Sequence, residues 1–174
     1  MTSPSIEAFQ AVRLVALDID GVLSDGTVSL DEHGNQRRAF DIKDGLGIVR
    51  LVESGRRVVV ISSSASAAGV ERLVRLGINP VHTGVGDKLD VLHEILNDAG
   101  VSVDDVAYMG DDLPDLAPIL RVGLGMTVAD ANPEIKSRAA WCSTRKGGEG
   151  AVREACDYIL KQRGNLDDML NDYL

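Results

Sequence analysis

Aromatic residues are scarce in this chain, which has one Trp, three Tyr and two Phe among its 174 residues. Proteins that bind single-stranded nucleic acid stack bases on aromatic side chains, so this composition does not favour such a function. The formal net charge of −9 points the same way, because an acidic surface repels phosphate backbones and anionic lipid headgroups. We therefore expect neither a nucleic acid nor a membrane among the partners.

Cysteines and long apolar segments are also few. The two cysteines, Cys142 and Cys156, do not form a disulfide framework and are typical of a protein in a reducing compartment. No apolar run approaches the roughly 18 residues of a transmembrane helix, and the start of the chain shows no secretory signal pattern. These features predict a cytoplasmic protein. The length fits a single domain over residues 1–174.

Short apolar runs alternate with segments of helical periodicity along most of the chain. Residues 12–19, 57–61 and 106–109 are near-continuous apolar runs, as expected of strands buried on both faces of a parallel sheet. This alternation predicts an α/β protein in which helices flank a central parallel sheet. The other predicted strands are 80–83 and 122–126, and the predicted helices are 46–53, 70–76, 89–96, 113–120, a short one from Asn132, and 150–162.

Residues 26–41 interrupt the alternation with a predicted β-hairpin, in which segments 27–30 and 37–40 surround a run of turn residues. An isolated hairpin is marginally stable in water, so we expect it to pack on another element or on another subunit. The tail at 164–174 also has apolar residues at helical spacing, namely Leu166, Met169, Leu170 and Tyr173. It either packs on its own subunit or closes over a neighbouring active site.

Acidic residues directly follow two of the predicted strands. Asp18 and Asp20 close the first strand, and Asp111 and Asp112 follow Gly110 at the end of a later one. Ligands of parallel α/β sheets bind at the carboxyl ends of the strands, so these carboxylates are predicted to meet. Clustered carboxylates repel one another unless a cation lies among them, and oxygen ligands favour Mg²⁺ over zinc or copper. For the first pair alone, a solvated Asp-Gly turn is the alternative interpretation.

A hydroxyl and an amine complete the predicted site. Ser62 follows the second strand, and Lys88 opens a helix after Asp87. Each has an ordinary structural alternative, since Ser62 could cap the next helix and Lys88 could be a solvated surface side chain. Beside a magnesium-binding carboxylate cluster, however, they are the groups that aspartyl-phosphate chemistry needs. There a carboxylate attacks phosphorus while the metal and the lysine neutralise the phosphoryl oxygens.

The motifs resemble, in order and position, those of the haloacid dehalogenase (HAD) phosphatase superfamily: Asp18-x-Asp20, Ser62, Lys88 and Gly110-Asp111-Asp112. The resemblance covers roughly residues 12–162. Stretches 17–26, 40–45 and 147–154 are similar to the capless subgroup that contains the 3-deoxy-D-manno-octulosonate 8-phosphate phosphatases. This resemblance implies a Rossmann-like core with the hairpin in place of a cap domain. It also implies a homotetramer in which one subunit's hairpin helps to cover its neighbour's site.

The resemblance further implies a role for each acidic motif residue. Asp18 would be the nucleophile, and Asp20 the general acid and then the general base. Mg²⁺ would be held by the Asp18 side chain, the Asp20 backbone carbonyl and Asp111. Asp112 would orient Lys88 or a metal-bound water. Asp115 stays open between a member of this cluster and an ordinary helix-turn carboxylate.

The substrate would be a sugar phosphate, an acidic keto-sugar in this subgroup. Ser62 and Lys88 would bind the phosphoryl group, and Ser63 and Gly45 would also contact the substrate. The chain departs from the subgroup in two places. Residues 62–64 are Ser-Ser-Ser where Thr-Gly-Arg is common, and residues 147–150 are Gly-Gly-Glu-Gly where Gly-Gly-Arg-Gly is usual. Neither difference touches the phosphoryl chemistry, but both bear on the sugar.

Three alternatives therefore stay open. The first is a phosphatase for nonulosonate 9-phosphates of the sialic-acid type. The second is a non-catalytic HAD domain that assembles or regulates an N-acylneuraminate cytidylyltransferase, although such a domain has no need of the complete motif set found here. The third is a phospho-acceptor signalling domain of flavodoxin-like type, against which Asp20 argues because such a domain needs no general acid at that position.

Overall fold

The structure is a computed structural model that describes residues 4–66, 69–162, 164, 171 and 174. Its helices are α1 (Ile6–Ala11), α2 (Ile42–Glu53), α3 (Val70–Arg75), α4 (Lys88–Ala99), α5 (Leu116–Arg121), α6 (Pro133–Lys136) and α7 (Ala151–Gln162). Its strands are β1 (Leu14–Leu17), β2 (Ser29–Leu30), β3 (Gln36–Arg37), β4 (Arg57–Ile61), β5 (Val81–His82), β6 (Val106–Met109), β7 (Leu124–Thr127) and β8 (Trp141–Cys142). None of the helices formed by the described residues is long and apolar enough to cross a lipid bilayer.

Six strands form one parallel sheet in the order β5-β4-β1-β6-β7-β8. Strand β1 lies near the middle, with Leu17 paired to Val60 of β4 and to Met109 of β6. All four residues of β1 and of β6 are buried, because helices cover both faces of the sheet. The predicted α/β architecture with a central parallel sheet is thus confirmed.

Alternate residues of each strand enter two separate hydrophobic cores. On one face Val15 and Leu17 pack with Ile48 and Leu51 of α2 and with residues of α7. On the other face, a second cluster joins further strand residues to α4, α5 and α6: Leu14, Ala16, Val59, Leu92, Ile95, Ile119 and Ile135. The two cores hold the strands rigidly. The residues that follow each strand at its carboxyl end therefore start from a fixed backbone position.

Most predicted elements are confirmed, and the differences have local causes. The strands at 57–61 and 106–109 have the predicted bounds. Helix α2 begins earlier than predicted, because the Asp41 carboxylate accepts a hydrogen bond from the Lys43 N–H and so caps the helix at that point. The predicted helix at 113–120 starts with a 3₁₀ turn before α5. Helix α1 and the two-residue strand β8 were not predicted, because their patterns are too short.

The hairpin is present but small. Strands β2 and β3 pair antiparallel over two residues each, Ser29 with Arg37 and Leu30 with Gln36. The turn between them is held by the Asp31 carboxylate, which accepts hydrogen bonds from the backbone N–H groups of His33 and Asn35. Most of the predicted amphipathic tail, including Leu166, Met169, Leu170 and Tyr173, lies outside the described residues.

Two loops pack closely at the carboxyl edge of the sheet. Gly21, in the turn after β1, has a positive φ of 89°, and a Cβ there would overlap the Asp111 carboxylate. Gly147 lies directly on this turn, and a Cβ there would overlap the Gly21 carbonyl oxygen. The neighbouring Gly148 N–H donates to the Val22 carbonyl at 2.9 Å. The glycine-rich segment before α7 therefore supports the turn that carries Asp18 and Asp20.

Gly147→Ala is expected to destabilise the protein by about 1–3 kcal/mol, because the methyl group would force two backbone segments apart. The matched control is Gly86→Ala, where a Cβ meets nothing within 4 Å and φ is not positive. That control should stay within about 0.5 kcal/mol of the parent protein. Urea denaturation measures both free energies of unfolding, and equal stability of the two variants would contradict the close packing of Gly147.

Candidate active site

All predicted site residues except Gly45 meet at the carboxyl edge of the sheet, as the topology requires. They line a cleft of about 170 Å³ together with Ser64, Pro114 and Asp115: Asp18, Asp20, Ser62, Ser63, Lys88, Asp111 and Asp112. A larger cleft of about 420 Å³ lies along α7, but it shares no residue with this one. The smaller cleft is the candidate active site, because it holds the converging carboxylates and the lysine.

A buried ammonium group lies at the centre of the cleft. Lys88, the first residue of α4, is 3% exposed. Its Nζ is 3.0 Å from Asp18 Oδ1 and 2.7 Å from Asp115 Oδ1. Burial alone would lower the pKa of Lys88, but the charges of Asp115 and Asp18 outweigh it and raise that pKa. Lys88 is therefore a charged group fixed beside Asp18, and the alternative of a solvated surface lysine is wrong.

Asp115 has a larger role than the sequence indicated. Its Oδ1 accepts hydrogen bonds from Lys88 Nζ and from the Tyr108 hydroxyl, each at 2.7 Å. Its Oδ2 accepts from the backbone N–H groups of Asp111 and Asp112, at 3.1 and 3.4 Å. Each oxygen thus accepts two hydrogen bonds, which occupies its lone pairs. Asp115, and not Asp112, orients Lys88, and its spacing in Gly-Asp-Asp-x-x-Asp was the available signal.

Asp18 and Asp111 carry negative charge that the described residues do not fully compensate. Burial, followed by the nearby Asp115 charge, raises the pKa of Asp18 to about 6, although Lys88 acts in the opposite direction. The same two causes raise the pKa of Asp111 to about 7. Within the described part of the chain, no lysine, arginine or histidine forms an ion pair with Asp111. A cation between these two carboxylates would remove the repulsion.

The donor set fits a hard divalent cation. Carboxylate oxygens of Asp18, Asp111 and Asp115 lie within 4.8 Å of one another. Because the oxygens of Asp115 are already occupied by hydrogen bonds, Asp18 and Asp111 are the side chains with capacity for a metal ion. Oxygen-only ligation favours Mg²⁺, which keeps several water ligands and needs few carboxylates. The predicted backbone carbonyl ligand of Asp20 stays a prediction.

Asp20 has a partner that was not predicted. Arg38, just after strand β3 of the hairpin, donates from Nε and Nη2 to the two carboxylate oxygens of Asp20, at 2.5 and 3.0 Å. Nη2 also donates to Ser64 Oγ at 2.9 Å. Two cleft residues are therefore tied to the hairpin. No local sequence pattern predicts this contact, because Arg38 is one of several charged residues in a turn-rich segment.

The other predicted residues occupy clear positions. Ser62 is buried at the end of β4, where its hydroxyl accepts from the Ser64 N–H, so it does not cap α3, which begins only at Val70. Asp112 Oδ1 accepts a hydrogen bond from Asn132 Nδ2 at 2.8 Å.

Gly45 does not line the cleft. It lies in the first turn of α2, where its Cα faces Arg72 and Leu76. Its proposed contact with the substrate stays a prediction.

A carboxylate cluster around one buried lysine, at the carboxyl edge of a parallel sheet, suits phosphoryl transfer. A family model for haloacid dehalogenase-like hydrolases matches residues 77–155. The chain is 38% identical over 157 residues to the 3-deoxy-D-manno-octulosonate 8-phosphate phosphatase of Escherichia coli, which covers 90% of this chain and 84% of that protein. It is 39% identical over 156 residues to the same phosphatase of Yersinia pestis, covering 90% and 83%.

Solved structures agree. The 3-deoxy-D-manno-octulosonate 8-phosphate phosphatase of Moraxella catarrhalis, in complex with a magnesium ion, a phosphate ion and KDO, has a TM-score of 0.95 and 34% identity, over 97% of both chains. A cobalt-bound phosphatase from Haemophilus influenzae has a TM-score of 0.88 and 33% identity, over 91% and 93%. The chain therefore belongs to the HAD-like hydrolases, in the family of 3-deoxy-D-manno-octulosonate 8-phosphate phosphatases, and it is a phosphatase.

Asp111→Asn is expected to raise the melting temperature of the metal-free protein at pH 8. The pKa of Asp111 rises from 3.8 to about 7 on folding, so its contribution to stability is present below pH 3.8 and is lost as the pH rises through 7. Asparagine does not ionise, and each kcal/mol of relieved repulsion is worth roughly 2–4 °C. Scanning calorimetry measures the melting temperature with EDTA and again with Mg²⁺. Compared with the parent protein, Asp111→Asn should melt at a higher temperature in EDTA and should gain less when Mg²⁺ is added.

Asp112→Asn is the matched control, since it removes the same charge from the neighbouring, exposed position. It should change the metal-free melting temperature less and keep the gain with Mg²⁺. A full Mg²⁺-induced gain in Asp111→Asn would contradict the assignment of Asp111 to the metal.

Proposed function

We propose that this protein is a Mg²⁺-dependent phosphatase that hydrolyses 3-deoxy-D-manno-octulosonate 8-phosphate, a phosphate monoester of an acidic keto-sugar, through an aspartyl-phosphate on Asp18. The observation that carries the proposal is the contact between Lys88 Nζ and Asp18 Oδ1 at 3.0 Å, inside a cleft lined by further carboxylates. This contact holds a carboxylate nucleophile beside a fixed positive charge. Phosphoryl transfer through an aspartyl-phosphate uses this pair of groups.

In the first half-reaction an oxygen of Asp18 attacks phosphorus. The bond from phosphorus to Asp18 forms, and the bond from phosphorus to the sugar oxygen breaks. Asp20, two residues away on the same turn, gives its proton to the departing sugar oxygen. Lys88 faces the incoming phosphoryl oxygens, and the Ser62 hydroxyl lies in the same cleft as a hydrogen-bond donor. Mg²⁺, when held by Asp18 and Asp111, neutralises charge on the phosphoryl group.

In the second half-reaction a water molecule attacks the phosphorus of the aspartyl-phosphate. Asp20 is now ionised, so it accepts a proton from this water as a general base. The bond to Asp18 breaks, inorganic phosphate leaves, and the Asp18 carboxylate is restored. Asp115 keeps Lys88 in place throughout, because three further hydrogen bonds fix Asp115 to β6 and to the turn that follows.

The size of the cleft supports a substrate that projects beyond it. A volume of about 170 Å³ is well below the roughly 300–1,000 Å³ of pockets that enclose drug-sized ligands. The cleft therefore holds the phosphate end, and the sugar contacts surrounding loops or a neighbouring subunit. The relatives from Escherichia coli and Moraxella catarrhalis, both named for 3-deoxy-D-manno-octulosonate 8-phosphate, support that sugar as the substrate.

Asp18→Asn is expected to lower phosphate release by at least about 10³-fold, because an amide does not attack phosphorus. Phosphate release is measured on 3-deoxy-D-manno-octulosonate 8-phosphate, on a nonulosonate 9-phosphate and on neutral sugar phosphates, each with Mg²⁺ and with EDTA. The parent protein should turn over the octulosonate fastest and only with metal. Asp98→Asn, which changes an exposed carboxylate near the end of α4 that does not line the cleft, is the control and should retain the full activity.

Three outcomes would contradict the proposal. Substantial activity of Asp18→Asn would exclude Asp18 as the nucleophile. Faster turnover of the nonulosonate 9-phosphate would replace the proposed sugar. Absence of turnover on every substrate by metal-loaded protein would indicate a non-catalytic domain.

We also propose that the protein is a homotetramer. Exposed apolar side chains on the hairpin and at the start of α2 support this assembly. Leu30 is 67% exposed and Ile42 is 79% exposed, and Val28 and Leu46 are exposed as well. The two-residue strands of the hairpin are too short to make it stable by itself. Burying this surface against another subunit would stabilise the hairpin.

The variant Leu30→Asp with Ile42→Asp is expected to dissociate the tetramer, because two buried charges would face an apolar interface. Light scattering after size exclusion measures the mass. The control Leu120→Asp changes a side chain on α5 that is 55% exposed, and it should leave the mass unchanged. A monomeric parent protein, or an unchanged mass of the double variant, would show that this surface does not assemble the protein.

A further inference from the structure

A guanidinium group from the hairpin lies against the wall of the catalytic cleft. The Arg38 side chain is only 3% exposed, and its Nε and Nη2 donate to the two oxygens of Asp20. Nη2 also donates to Ser64 Oγ at 2.9 Å, and Nη1 donates to Gln36 Oε1 at 3.0 Å. Arg38 thus reaches two residues that line the cleft from an element outside the main sheet.

The ion pair between Arg38 and Asp20 conflicts with the role of general acid proposed for Asp20. A carboxyl group that serves a leaving oxygen must turn one of its own oxygens toward that atom. Here both oxygens of Asp20 accept hydrogen bonds from Arg38, at 2.5 and 3.0 Å, and one also accepts from Ser24 Oγ at 3.4 Å. The arrangement is that of a resting protein, in which Asp20 is a carboxylate. Asp20 must part from Arg38 and take a proton from water before it can give that proton to the departing sugar oxygen.

The edge of Arg38 that Asp20 covers is shaped for a carboxylate. Nε and Nη2 present two parallel N–H groups, the arrangement that binds a carboxylate through both of its oxygens. When Asp20 turns away, this edge becomes free beside the cleft and carries an unpaired, nearly buried charge. Leaving the Arg38 charge unpaired and nearly buried costs free energy. Binding of another carboxylate in place of Asp20 is therefore favoured. Lys88 is not available for this purpose, because Asp18 and Asp115 already bind it.

We propose that Arg38 selects substrates that carry a carboxylate: the substrate carboxylate replaces Asp20 on Nε and Nη2, and the exchange releases Asp20 toward the leaving oxygen. The inference rests on the proposed function and adds to it a specificity-determining residue. Ser64 and Gln36 keep the guanidinium in place during the exchange. A neutral sugar phosphate offers no replacement anion, so Asp20 stays bound to Arg38 and the sugar oxygen leaves slowly.

The test compares three phosphate esters under metal-saturating conditions. 3-Deoxy-D-manno-octulosonate 8-phosphate carries a carboxylate, and arabinose 5-phosphate is a neutral sugar phosphate. p-Nitrophenyl phosphate has a leaving group that needs no proton, so its first half-reaction does not need Asp20 as an acid. kcat and KM are measured for the parent protein, for Arg38→Met and for Arg38→Lys.

Arg38→Met is expected to lower kcat/KM on the octulosonate ester about 10- to 100-fold, as for the loss of a charged hydrogen-bond pair. The same variant should leave kcat/KM on arabinose 5-phosphate unchanged or raise it, because Asp20 is no longer held. p-Nitrophenyl phosphate should be unaffected. Arg38→Lys, which keeps the charge without the parallel N–H groups, should retain an intermediate preference for the acidic substrate.

Arg37→Met is the matched control, because it removes the same charge from the adjacent position of the hairpin. The Arg37 side chain is 75% exposed, its Nη2 lies 3.7 Å from Asp31 Oδ2, and it does not line the cleft. It should leave the ratio of the two sugar phosphates unchanged. Thermal denaturation checks that each variant is folded. If Arg38→Met does not fold, an unchanged ratio in folded Arg38→Lys would overturn the inference.

Two further results would overturn it. An equal loss on all three esters in Arg38→Met would mean that Arg38 only supports the structure, and an unchanged ratio would mean that the carboxylate binds elsewhere. Failure of the proposed function looks different, since the parent protein would then not release phosphate from the octulosonate ester. If the parent protein prefers this ester and Arg38→Met keeps the preference, the function stands and the inference fails.

Discussion

The site depends on one ammonium group shared by two buried carboxylates. Lys88 Nζ lies 3.0 Å from Asp18 and 2.7 Å from Asp115, and the side chains involved are almost fully buried. Asp115 anchors the amine, since two backbone N–H groups and the Tyr108 hydroxyl hold this carboxylate in place. Asp18 makes no such set of hydrogen bonds with the described residues, and it is the carboxylate that we propose as the nucleophile. One positive charge cannot neutralise Asp18, Asp111 and Asp115 together, so the fold creates a demand for a cation where the phosphoryl group arrives.

The same imbalance explains how an acidic protein binds an anion. The chain has a formal net charge of −9, which disfavours long anionic polymers. Part of that charge is concentrated in the cleft, however, where Lys88 and a divalent cation would reverse it locally. The glycines of the surrounding loops make this concentration possible, because Gly21 lets the Asp111 carboxylate lie against the turn after β1. The low aromatic content has no bearing on such a site, which binds through charge and not through stacking.

The sequence predicted those parts of the molecule that depend on local pattern. Buried apolar runs located β4 and β6 to the residue, and the motif residues at their ends were brought into one cleft by the parallel topology. The contacts that organise the cleft could not be predicted in this way. Lys88 and Asp115 are 27 positions apart, and Asp20 and Arg38 are 18 apart, so periodicity reveals neither pairing. The spacing of Asp115 in its motif indicates that it belongs to the cluster, but not that it binds Lys88. Gly45 was predicted in the site from its motif, whereas the helix places it against Arg72.

The proposed reaction depends on a covalent bond between Asp18 and phosphorus. Aspartyl-phosphates are reduced by borohydride, so rapid quenching of the turning-over protein into borohydride, followed by peptide mass spectrometry, identifies the phosphorylated residue. We expect conversion of residue 18 to homoserine, dependent on substrate and on Mg²⁺, with Asp20 and Asp111 unmodified. An active protein that shows no modification at residue 18, or modification of another carboxylate instead, would contradict it.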